Sequence, residues 1–360
     1  MVSDKNSRLR IEEYQGQGED WNTFASSHPE SRFCHLWQYC KLIEEIYGYR
    51  AYGFVVREGD QIIATLPASL SITLLFGKKL VSQPFSEYGG ILSQGLSSAD
   101  YAAFFRYLAE FCSEQGIAHV EMHGNLGVSD EYGRKYFIQA NPYGYAVLKL
   151  GSDPEVIRRE VFDHQIRKAL NKAERSGVKS FQDSSPEIIR DKFWPLFLQS
   201  MKRIGSPPHP LAYLIGLKRH FPAELKIFWA EVNGKLVAAL MGFVIGRRIQ
   251  ITNIVSDESY WDLRTNDLVH WEFIKWGCQN AYLEFDFGSV RYEGQLRYKK
   301  KWGAQLRNSG YYYFTSMPDS ISAFSSSSTI MTAFSKAWGW CIPLSVTPIL
   351  GPAIRKQLVR

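Results

Sequence analysis

Residues 285–304, FDFGSVRYEGQLRYKKKWGA, concentrate the groups that could do chemistry. Leu283, Phe285 and Phe287 alternate with Glu284 and Asp286, so in a strand the two carboxylates share one face. Such a pair can take a proton from an attacking amine; it can equally be the wet face of an edge strand, the better reading for Glu284. Asp286, beside the chain break expected at Gly288, is the stronger base. Beyond Gly288 the chain reads as a charged loop carrying Arg291, Glu293, Arg297 and Lys299–Lys301 before Trp302 and Gly303. Charge on a loop anchored to a rigid strand is where sites are usually placed, with a solvated hairpin rim as the alternative.

A second cluster lies at 162–177, FDHQIRKALNKAERSG. Phe162, Ile166, Ala169 and Ala173 form an apolar stripe, and Arg167, Lys168, Lys172 and Arg175 form a basic face extended upstream by Arg158 and Arg159. A positive helix face can hold phosphates or simply be solvated. His119, Glu121 and His123 share a strand face, but without the helical spacing of H-E-x-x-H and without a third ligand, so no metal is expected. There is no phosphate-cradling G-x-x-x-x-G-K-[ST], no G-x-S-x-G, and no cysteine with a catalytic partner.

The surrounding elements are legible from periodicity. A helix is expected at 33–47, strands at 52–57 and 61–66 around the Glu58–Asp60 turn, a strand at 79–82, a loop at 84–90, a helix at 98–115 and a strand at 117–122. The second half repeats the order. Helices at 154–176 and 186–204 precede a hairpin of 226–232 and 235–245 around Asn233–Gly234, then a strand at 249–255, a helix at 266–280 and a strand at 281–287. One α/β unit is used twice, with domains at 1–150 and 151–318 and a ligand cleft expected where they meet. A tail at 319–360 begins with a serine linker at 325–328; its apolar part, 333–354, is broken by Pro343, Pro348 and Pro352. It either packs back on the domains or touches a membrane surface.

Composition limits the partners. A net charge of +6 suits an anionic ligand such as a nucleotide, tRNA or a lipid head group. Five cysteines (34, 40, 112, 278 and 341), odd in number and without C-x-x-C, read as reduced thiols. The first residues lack the apolar core of a signal peptide and no run of 18 apolar residues occurs. The expected place is the cytoplasm, including the inner face of the membrane.

Four segments together resemble the FemAB-related acyltransferases of the GNAT superfamily, in the branch associated with exosortase and exopolysaccharide loci: FGKKLVSQPFSEYGGIL at 76–92, RKALNKAERSGV at 167–178, FDFG followed by GQLRYKKKWGA at 294–304, and WGWCIPLSVTPILGPAIRK at 338–356. The resemblance implies an α/β chain of two tandem GNAT-like domains that transfers an acyl or aminoacyl group to an amine, in cell-envelope, exopolysaccharide or peptidoglycan synthesis. It implies no tightly bound cofactor; the donor would be acyl-CoA, an acyl-carrier protein or aminoacyl-tRNA, and the amine acceptor lipid- or nucleotide-linked. Lys299 would stabilise the oxyanion. Arg167 and Lys172 would face phosphates, and Arg291, Tyr298, Trp302 and Tyr88 would contact substrate.

The chain departs from the family pattern at Ser289–Val290, where an arginine is usual, and at Asn171. Residues 255–267, VSDESYWDLRTND, also lack the glycines with which an ordinary GNAT binds the CoA pyrophosphate. The reading of another class is a non-catalytic scaffold in surface-polysaccharide assembly; nucleic-acid binding through the 158–179 face is a third.

Overall fold

The computed structural model describes residues 9–74, 77–124, 126, 137–315 and 329–359. The chain forms two compact units: residues 1–142 with 309–331 and 356–360, and residues 143–308 with 332–355. The serine run at 325–328 lies outside the described residues.

In the first unit, strands β1 (Leu9–Glu13), β2 (Arg50–Glu58), β3 (Gln61–Thr73) and β4 (Gly77–Ser82) are antiparallel neighbours, and the short β5 (Leu92–Ser93) pairs β3. The next strand, β6 (His119–His123), runs parallel to β4, and β13 (Gln305–Thr315) closes the order antiparallel to β6. Helices α1 (Glu19–Ser27), α2 (Trp37–Tyr47) and α3 (Ser98–Glu114) accompany them. Parallel strands need a crossover, and α3 supplies it. The Ser97 hydroxyl and the Asp100 carboxylate cap its start reciprocally. Its Phe104, Leu108 and Phe111 pack with Tyr52, Phe54, Leu66 and Val120 of the sheet in one core.

The second unit repeats this order. Strands β8 (Lys179–Gln182), β9 (Leu225–Val232), β10 (Lys235–Ile245) and β11 (Arg248–Ser256) are antiparallel. β12 (Glu284–Val290) is parallel to β11, and β7 (Ile138–Lys149) is antiparallel to β12. Asn233 (φ 50°) and Gly234 (φ 79°) both take the left-handed conformation of the tight hairpin turn. Its helices are α4 (His164–Arg175), α5 (Trp194–Arg203), α6 (Leu211–His220), α7 (Thr265–Gln279), α8 (Glu293–Lys301), α9 (Thr329–Cys341) and α10 (Thr347–Leu358). Here α7 is the crossover, burying Leu268, Val269, Trp271, Phe273 and Ile274 against β10–β12.

Three sequence expectations are corrected. The helix expected at 154–176 is interrupted, because Phe162 is extended and the Asp163 carboxylate caps a new start by accepting the Gln165 N–H. The late strand begins at Glu284 rather than at 281: the Ala281 and Tyr282 amides cap the end of α7 by donating to Cys278 O and Gly277 O. The strand also continues through Gly288 to Val290, and the expected charged loop is the helix α8.

Candidate active site

The ladder between β11 and β12 has three residue pairs and ends at Gln250 opposite Asp286, although both strands run on. Just beyond, the register between β12 and β7 shifts between Asp286 and Ser289. Gly288 there adopts φ 73°, which a glycine takes without steric cost. The Asp286 carboxylate, wholly buried, accepts the Gly288 N–H at 2.9 Å and so holds the irregularity from below.

Glu284 is not on an edge strand. β12 lies between β7 and β11, and Glu284 pairs with Arg248 (Nε at 2.7 Å) and with Arg307. It is thereby structural.

Lys299 is the buried side chain of α8. Its ammonium donates to Gly288 O at 2.9 Å and Ser289 O at 2.6 Å, at the irregular turn of β12. Lys300 is exposed, and Lys301 donates to Gln165 Oε1 at 2.7 Å. The motif around them has a mechanical reading. Gly303 N–H donates to Lys300 O and Ala304 N–H to Lys299 O, closing α8 with Gly303 in the left-handed conformation (φ 77°). A Cβ there would sit 2.2 Å from Val161 Cγ1. Trp302, wholly buried, packs on Phe162, Phe287 and His270. It shapes the site from beneath.

Sequence reasoning missed His270. This buried side chain of α7 stacks on Phe287 with ring centroids 5.6 Å apart. Its Nδ1 donates to Asn266 O at 2.8 Å, which leaves Nε2 as the basic nitrogen. Burial pushes its pKa down to about 4, and the nearby Lys299 charge acts in the same direction, so the ring is neutral. A histidine one turn below a helix start carries no pattern of its own; the only available signal was its place in the crossover helix beside the last strand.

Asp267 accepts from Tyr298 OH at 3.1 Å and pairs with Arg264 at 2.9 Å. Burial raises the carboxyl pKa of Asp267 and the phenol pKa of Tyr298. Arg264 takes φ 61° at the start of α7, where the glycine-free segment forms a short 3-10 helix. Beside it Thr265 Oγ1 and Asn266 Oδ1, and on β11 opposite Asp286 the Gln250 Oε1, are buried without a hydrogen-bond partner in the protein. Such atoms commonly meet a ligand or a water.

Asp286, Tyr298, Lys299 and Trp302 thus converge where β12, α7 and α8 meet. Arg291 is exposed at the end of β12. Tyr88 belongs to the first unit, buried under the Arg32 guanidinium 4.8 Å from its ring. Arg167 and Lys172 lie on α4, whose basic face is partly neutralised. Arg158 donates to Glu174 and to Asn171, so Asn171 does the work of an anchor. Arg167 donates to Arg159 O, while Lys172 is exposed. Among the described residues no three His, Cys, Asp or Glu side chains cluster as metal ligands. Glu121 pairs with both His123 and Lys79.

Residues 161–300 match the acetyltransferase (GNAT) domain family. No curated protein matches the chain in sequence. Among solved structures, FemX superposes with a TM-score of 0.67 at 11% identity, over 84% of this chain and 97% of that one. The C-terminal domain of a putative lysylphosphatidylglycerol synthetase from Agrobacterium fabrum gives 0.51 at 11% identity, over 72% and 83%. A tandem GNAT protein from the clavulanic acid biosynthesis pathway gives 0.51 at 9% identity, over 85% and 98%. At such identities the likeness is one of fold. The β12–α8 site thus lies in a segment that matches the GNAT acetyltransferase domain, within a chain whose fold is similar to that of FemX over most of its length.

Proposed function

We propose that the enzyme transfers an aminoacyl group from an ester-linked donor, aminoacyl-tRNA, to an amine on a cell-envelope precursor. The observation that carries the reading is the buried Lys299 ammonium held at the open end of β12. The acceptor nitrogen attacks the ester carbonyl carbon, and the oxyanion that forms is stabilised by the Lys299 charge. The neutral His270 ring takes the proton released from the acceptor nitrogen. The C–O bond then breaks and the imidazolium returns its proton to the leaving oxygen, which gives the amide, a hydroxyl on the donor and a neutral His270. In this scheme Asp286, the base expected from sequence, holds the turn at Gly288 on which Lys299 is anchored.

The start of α7 favours an ester over a thioester of CoA. A pyrophosphate is held by bare backbone N–H groups, usually between glycines. Here Arg264, Thr265 and Asn266 supply side chains at that point, and the buried Asp267 lies in the first turn. The net charge of +6 and the basic residues Lys168 and Lys172 suit a polyanionic donor.

The test supplies the purified protein with aminoacyl-tRNA, acetyl-CoA and acyl-carrier-protein thioester in parallel, each with amine acceptors, and detects amide by mass spectrometry. Product with aminoacyl-tRNA alone is expected. Product with acetyl-CoA alone would overturn the donor; product with none would overturn the reaction.

A further inference from the structure

The sequence from Ala337 to Ile354, AWGWCIPLSVTPILGPAI, contains no charged residue, yet it is bracketed by Lys336 and Arg355. It forms the end of α9, the turn and most of α10. One side of this helical hairpin is fastened to the loop after α5. Lys202 Nζ donates to Gly339 O at 2.7 Å and Arg355 to Ser206 Oγ at 3.3 Å. Gly205 and Gly351 are close approaches: a Cβ on Gly205 would lie 2.3 Å from Ser335 O, and one on Gly351 would lie 2.4 Å from Pro208 Cδ. Trp338, Thr347 and Gly351 are buried on that side.

The other side is bare and apolar. Trp340 is 90% exposed, Ile349 75%, Leu350 41% and Leu344 37%. The neighbouring Ile204, which precedes the close approach at Gly205, is 60% exposed. A soluble surface rarely gathers several such side chains without interleaved charge. The inner face is too well tied to be a mobile tail.

We propose that this hairpin seats the protein on an anionic lipid bilayer, with Trp340, Leu344, Ile349 and Leu350 entering the head-group boundary and the exposed Lys336 facing the lipid phosphates. The occupant follows from charge complementarity and from what the tip lacks. A protein partner is recognised by directional hydrogen bonds and charges around an apolar centre. A bilayer asks only for apolar area, an amphipathic aromatic and basic flanks. No helix among the described residues is long and apolar enough to cross a membrane, so the hairpin lies on the surface rather than spanning it. The proposal stands independently of the transfer reaction.

The test is flotation with vesicles of phosphatidylcholine alone and of phosphatidylcholine with phosphatidylglycerol, using the full chain. Cys341, exposed at the tip while Cys34, Cys40, Cys112 and Cys278 are buried, carries an environment-sensitive fluorophore. The wild type is expected to float with the phosphatidylglycerol vesicles, less with phosphatidylcholine alone, and to shift the fluorophore emission to the blue. Trp340→Ser and Ile349→Ser remove exposed side chains and leave the fold intact. Each is expected to weaken partitioning by about ten-fold, and Lys336→Gln to reduce only the phosphatidylglycerol-dependent part. A wild type that stays with the soluble fraction, or a double tip variant that floats equally well, would overturn the proposal. So would a wild-type dimer that the tip substitutions convert to monomer without change in flotation, since the face would then belong to a second copy.

Discussion

The parallel pair β4–β6 of the first unit and the parallel pair β11–β12 of the second occupy the same place in the strand order, yet their ends are treated differently. β4 and β6 are paired through Ser82 opposite Met122 at the end of β4. Beyond that, Ser82 Oγ accepts the His123 N–H at 2.8 Å. Lys79, Glu121 and His123 form a buried ionic suture across the two strands: Glu121 takes Lys79 on one oxygen and His123 Nε2, at 2.8 Å, on the other. His123 Nδ1 faces Ser86 O at 2.8 Å. In the second unit the ladder stops after three pairs, and a lysine that donates to the Gly288 and Ser289 carbonyls stands beside a neutral histidine and buried oxygens without partners. One copy spends its buried polar groups on closing the strands. The other buries Thr265, Asn266 and Gln250 oxygens that no group of the protein meets.

The comparison is broken most forcefully in the first unit. Lys79→Met strips Glu121 of its cation while leaving the carboxylate buried, and is expected to cost on the order of 3–5 kcal/mol of stability. A urea titration reads the loss, and turnover per folded molecule should not change. Equal loss of turnover would mean that the suture belongs to the chemistry. In the second unit, Lys299→Met is expected to reduce kcat by about 10²–10³, with circular dichroism unchanged; full activity in the variant would remove the lysine from the mechanism. His270→Gln should reduce kcat by about 10², and rescue by added imidazole would distinguish a proton acceptor from a packing residue. Gly303→Ala forces a side chain into the left-handed conformation and onto Val161, a destabilisation of roughly 1–2 kcal/mol, visible as a lower Tm together with a weakened site.

Acidification sharpens the contrast more gently. The buried His35 of the first unit, pushed down to about 3, and His270 of the second, at about 4, stay neutral in the fold while the unfolded chain protonates them near pH 6.5. The unfolded state therefore binds more protons, and stability falls as pH drops from about 6.5 towards 4, by at most about 1.4 kcal/mol per pH unit per group. Burial raises the Glu121 pKa, but Lys79 and His123 overcome this and hold it below the usual carboxylate range. The stability this gives is present above about pH 4.5 and is lost as pH falls below it. Urea midpoints at pH 7, 5.5 and 4.5 check the slope, and His35→Gln and His270→Gln each remove one share of it.

Much of the fold was legible in sequence because it rests on local rules. Asn233–Gly234 dictates a tight hairpin, and apolar spacing marks α2 and α7. The same rules misplaced elements where tertiary contacts decide. Residues 293–301 are too polar to advertise a helix; Gly303 closes α8 against Val161, and Lys299 ties the formed helix to β12. Glu284 looks solvent-facing until Arg248 and Arg307 arrive from other strands. The serial chain fixes residue types and their periods, and so the repeated order of elements and the concentration of charge around Lys299. Which charges are sutured, which are solvated and which are held beside a neutral histidine depends on partners distant in sequence, and burial, which sets the energy of each, exists only once the strands and helices have come together.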